Sequence, residues 1–112
     1  MSSRTIEFGV AGVSHVEGRT LIRGRIHSGP LRVGDRFVVS FRLVPMKEPG
    51  GYGPSLRTGD HAVSLRVESI HAYRRAFDEL EAGMTAELEM SGEDVRNLND
   101  GDVLAATVSD EG

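Results

Sequence analysis

Four histidines, two acidic pairs and one aromatic–basic run are the residues of this 112-residue chain best suited to chemistry. His15, His27, His61 and His71 are widely separated. None repeats at the H-x-H or H-x-x-x-H interval that would put two rings on one face, so they read as surface or rim residues. Glu93-Asp94 and Asp100-x-Asp102 have the composition of hydrolytic carboxylates or of a cation site. Both fall among turn residues, where Asp and Glu serve the local backbone. The run His71-x-Tyr73-Arg74-Arg75 is different, because basic and aromatic side chains at a strand end can combine stacking with contact to an anion. Tyr52, alone among glycines and prolines, is a second recognition candidate.

The bulk of the sequence narrows these options. There is no cysteine, which removes disulfides, thiol catalysis and cysteine-bound metal. No G-x-x-x-x-G-K-[ST] loop is present to cradle nucleotide phosphates. A net charge of −4 weighs against a general binder of nucleic-acid backbones, which needs a basic excess. No apolar run approaches the roughly 20 residues needed to cross a bilayer, and the first residues lead into no signal-peptide core. The length suits one domain with a single core. The expectation is one soluble, cytoplasmic domain over 1–112 with no cofactor.

The elements that must position these residues read as short strands. Ile6, Phe8 and Val10 alternate in a first strand over 5–16, with Gly9 and Gly12 as bulge or bend positions. A second strand over 19–27 puts Ile22, Gly24 and Ile26 on one face, and Leu21, Arg23, Arg25 and His27 on the other. Gly24 inside it marks a bend or a close backbone approach. Gly29-Pro30 and Gly34-Asp35 then force two corners, which suits a small, strongly curved barrel. The third strand, 36–44, is expected to turn Phe37, Val39, Phe41 and Leu43 to one face, with Val38 and Val44 on the other.

Residues 45–60, with three prolines and four glycines around Tyr52, are expected to form an irregular loop. The fourth strand, 62–73, carries Val63, Leu65 and Val67 inward and slips phase near Ser69. The fifth presents Met84, Ala86, Leu88 and Met90 inward. Between these strands lies a charged connection in which Phe77 and Leu80 cap the barrel end. A short helical turn over 93–98, with Ser91 as its N-cap, then leads through the Asn99–Gly101 turn to a last strand, 103–108. Residues 109–112 are expected to be a frayed tail.

Two blocks of this pattern carry a family resemblance. Gly18-Arg19 followed by Gly24-Arg25-Ile26-x-x-Gly29-x-Leu31-x-Val33-Gly34-Asp35 is the first. Ala82-Gly83, an alternating strand and Asn99-Asp100-Gly101-Asp102-Val103-Leu104-Ala105 is the second. In this order and at this separation they resemble domain II of translational GTPases such as elongation factor Tu. The resemblance implies an all-β fold: a small closed antiparallel barrel of six or seven strands with at most one short helical turn. It also places Arg19 and His71 to Arg74 beside the 3′ end of aminoacyl-tRNA, with Arg74 matching a basic position of the family's motif. The chain has His71-Ala72 where that family has Glu-Met, and Thr20 follows Arg19 without the family's extra glycine.

The functional expectation is a non-catalytic binding module. It would engage a protein partner, with the translation machinery as the candidate source, through Arg19, His71, Tyr73, Arg74 or Tyr52; RNA contact would be weak. Two other readings remain open. One is a small barrel enzyme or metal-dependent hydrolase using His71 and the turn carboxylates, which requires convergence in one cleft. The other is a self-associating barrel that pairs through an exposed edge.

Overall fold

The structure, a computed structural model, describes residues 3–109, without the side chains of residues 45–48 and 52–55. The tail expected over 109–112 lies outside the described residues apart from Ser109. The strands are β1 (Ser3–Val16), β2 (Arg19–Ser28), β3 (Leu31–Arg32), β4 (Arg36–Glu48) and β5 (Gly51–Ala72). They are followed by β6 (Arg75–Phe77), β7 (Glu79–Leu80), β8 (Thr85–Ser91) and β9 (Asp102–Ser109), with a 3-10 helix over Glu93–Asn97 before β9.

Six strands close a ring. Their order is β4-β9-β1-β2-β8-β5, and β5 pairs back onto β4, every pairing being antiparallel. Strand β6 extends β5, and β3–β7 forms a separate two-stranded ribbon. The inward positions expected from alternation fill the interior: Ile6, Phe8, Ile22, Ile26, Leu65, Val67, Ile70 and Leu88 are all fully buried. Each such side chain contributes about 1.5–3 kcal/mol by leaving water. The phase slip expected near Ser69 is a register shift between Val67 and Ser69 against β8.

Gly24 is the close approach that its sequence position implied. A Cβ there would overlap the Gly9 carbonyl oxygen and crowd the Phe8 ring, so β1 and β2 pass at a distance only glycine permits.

Three expectations are corrected. Residues 45–60 are not an irregular loop but the outer part of the β4–β5 hairpin, paired from Glu48↔Gly51 inward through Leu43↔Arg57. Pro49-Gly50 makes the two-residue tip, with Gly50 at φ 95, as a proline–glycine turn requires. Beyond Arg42 β4 no longer pairs with β9, and β5 joins β8 only from Arg66. The outer arm is therefore a free two-stranded ribbon, whose open edges tolerate Pro45 and Pro54.

The second correction concerns β4, where register shifts fall between Phe37 and Val39 and between Ser40 and Arg42. These bulges bury Phe37, Ser40 and Phe41 and leave Leu43 exposed. Third, the 3-10 helix is preceded by Gly92, not capped by Ser91. Gly92 sits at φ 129 against the Ser64 carbonyl, where a Cβ would collide, while the Ser91 hydroxyl donates to Glu68 Oε1 at 2.7 Å.

Candidate functional site

The hairpin β5–β6 presents the aromatic–basic run. His71↔Ala76 and Ala72↔Arg75 are paired, so Tyr73 and Arg74 are the two central residues of the turn. Both have positive φ, 51° and 63°. Two-residue hairpins favour this geometry because its twist matches the strands, and they normally fill it with Asn-Gly. An L side chain in the left-handed region costs about 1 kcal/mol. Here the strained positions hold an aromatic ring that is 76% exposed and an arginine with no ion pair or hydrogen bond among the described residues. Below them the Arg75 guanidinium lies 5.6 Å from the centroid of the Phe77 ring, which packs on the core.

His71 is half-buried on the outer sheet face. It stands opposite Glu87 of β8, which in turn stands opposite Arg23 of β2, so the register aligns one base, one acid and one imidazole in a row.

Arg19 is elsewhere. It opens β2 next to Thr20, which pairs with Met90 near the end of β8, whereas His71 and the turn beyond it lie toward the Thr85 end. Strand β8 has seven residues; at about 3.3 Å per residue, Arg19 and the 72–75 turn are separated by roughly 20 Å. Arg19 is also neutralised. It donates to the Glu89 carboxylate, through Nε at 3.1 Å, and that hydrogen bond and charge push its pKa up. Tyr52 belongs to a third place, near the tip of the β4–β5 arm, and its side chain lies outside the described residues. The structure thus brings together His71, Tyr73 and Arg74, and leaves Arg19 and Tyr52 apart from them.

Beside Arg19 a groove of about 570 Å³ is lined by His15, Thr20, Met90, Val95 and Arg96, among others. Sequence reasoning missed Arg96. Its helix is fastened to β5, where the Ser64 N–H donates to the Asp94 carboxylate at 2.9 Å across 30 residues of sequence. That long-range bond has no local signature in the sequence.

One member of each acidic pair does structural work. The Asp94 carboxylate accepts the Ser64 N–H at 2.9 Å, and Asp102 accepts the Asn99 N–H at 2.9 Å and Arg42 Nε at 3.1 Å. Among the described residues no three His, Asp or Glu side chains gather as a metal site would require, and no helix is long and apolar enough to cross a membrane.

No protein-family model matches the chain, and no curated protein matches it by sequence. Solved structures do. Translation elongation factor SelB from Methanococcus maripaludis matches in its apo form and in complex with the GTP analogue GPPNHP. Each match has a TM-score of 0.64, 20% identity and 91% coverage of this chain. The chain spans 19% of the length of that factor. The fold is therefore that of a β-barrel like the one within a translation elongation factor, resembling domain II of a translational GTPase.

Proposed function

We propose that the chain is a non-catalytic binding module that docks a protein partner through the 72–75 turn and the adjacent His71. The observation that carries this is the turn itself: an exposed tyrosine and an arginine unpaired among the described residues occupy two consecutive left-handed positions that Asn-Gly would fill at lower cost. Backbone strain clusters at functional sites, and Tyr and Arg carry much of the energy in protein interfaces.

The electrostatics favour protein over RNA. Arg19, Arg32, Arg42, Arg57 and Arg66 each face a carboxylate, so five of the arginines among the described residues are already engaged and less able to track a phosphate backbone. Likeness to a translation factor suggests a cytoplasmic partner within the translation machinery. The test is affinity capture from native lysate with and without ribonuclease. A protein retained after ribonuclease supports the reading; recovery of RNA-dependent partners alone overturns it.

A second reading rests on the β4–β5 arm, which has open edges and exposed Leu43, Val44 and Leu56. Such ribbons pair with copies of themselves. Sedimentation at several concentrations distinguishes this, and a strictly monomeric profile removes it.

A further inference from the structure

The barrel end opposite the 72–75 turn has a recognition feature of its own. Two grooves meet there, of about 570 and 550 Å³, and His15 and Arg96 line both. The first runs past Met90 and Val95 to the Arg19–Glu89 ion pair. The second runs past Val13 and Leu98 to Asn99 and Asp100. His15 is held through Nδ1 to Thr20 Oγ1 at 3.1 Å, which leaves Nε2 as its uncommitted nitrogen. Arg96 is exposed and makes no ion pair or hydrogen bond among the described residues. Its acidic neighbour Asp94 is already engaged by the Ser64 N–H.

We infer that the joined grooves take an extended segment of a protein partner carrying one Asp or Glu between two apolar side chains. The carboxylate meets Arg96 and His15, where a guanidinium offers paired donors to a planar acid. One apolar side chain lies over half-buried Val95, which packs against the core that contains Met90, and the other over half-buried Val13, which packs against the core that contains Leu98. A tripeptide spans about 10 Å when extended, enough to place three side chains along two adjoining grooves.

The charge pattern decides against a polyphosphate. Repeated phosphates running outward from Arg96 would meet Asp100 at one end and Glu89 at the other. A free phosphate or simple carboxylate would leave both apolar flanks uncovered. The site does not depend on the 72–75 turn, because the two lie at opposite ends of β8.

The test is an NMR titration of the ¹⁵N-labelled chain with acetyl-Ser-Leu-Glu-Leu-Ser-amide, with the same peptide carrying Gln for Glu, and with hexauridylate. The expected result is amide shifts confined to residues 13–20 and 90–100 with the Glu peptide. Loss of one charge-assisted contact should weaken binding about tenfold, both for the Gln peptide and for Arg96→Ala, with partial recovery in Arg96→Lys. Arg96 is exposed, so the unperturbed remainder of the spectrum verifies that its variants are folded. The inference is overturned by the absence of shifts with the Glu peptide, by equal affinity for the two peptides, by an unaffected Arg96→Ala, or by tighter binding of hexauridylate at these residues.

Discussion

Arg4, at the start of β1, holds Asp35 at the second corner through two parallel hydrogen bonds of 2.8 and 2.9 Å, with side chains only 10% and 6% exposed. The same guanidinium donates to the Pro30 carbonyl at 2.7 Å, and Asp35 also accepts the Arg32 N–H at 2.8 Å. One buried ion pair thus fastens the first strand to both bends of the 29–35 corner. Removing one partner leaves an uncompensated charge, so Asp35→Ala is expected to cost about 3–5 kcal/mol. Urea unfolding measures this directly, and a loss below about 1 kcal/mol, the scale of an exposed pair, would contradict the assignment.

Glu68 contributes one pH-dependent interaction. The Ser91 hydroxyl, aided by Arg66 and by the charge of Arg36, holds its carboxyl below the ordinary value of 4.5. It also relieves the direct cross-strand opposition of Arg36 and Arg66. Because the folded value is the lower one, the contribution is fully present above pH 4.5 and is lost as pH falls through the folded value. A ¹³C titration of the Glu68 carboxyl should give a midpoint below the ordinary value that rises in Ser91→Ala. An unchanged midpoint in that variant would show that the hydroxyl is not the main cause.

The outer arm is dispensable to the fold. Among the described residues no member of the core cluster lies between Leu43 and Ala62, and the Arg57 guanidinium covers the Phe41 ring at 3.8 Å where the arm leaves the barrel. Replacing residues 44–56 by Asn-Gly, so that Leu43 and Arg57 flank a two-residue turn, should leave the unfolding midpoint and the circular dichroism of the barrel unchanged. Loss of cooperative unfolding would show that the arm supports the core.

Much of the barrel was legible because its strands alternate cleanly. Ile22 and Ile26 around Gly24, and Ala86, Leu88 and Met90, face the interior as their period of two requires. β4 was misread because bulges are set by partner strands and leave no mark on composition. They drive Ser40 into the interior, its hydroxyl without a partner among the described residues, and turn Leu43 outward. The arm was misread for a related reason: Pro45, Pro54 and the glycines signal breaks, yet a ribbon with free edges accommodates them. Within the candidate site the Tyr73–Arg74 pair could be named from sequence, but its strain could not. Arg96 joined the opposite groove only through contacts distant along the chain.

The central claim is that strain in the 72–75 turn is retained for recognition, and the double variant Tyr73→Asn, Arg74→Gly tests it most directly. That substitution installs the residues the turn geometry prefers, so thermal unfolding should show stability raised by about 1 kcal/mol. Affinity capture with the same protein should lose the ribonuclease-resistant partner. A variant that is more stable and still captures that partner at the wild-type level would contradict the account.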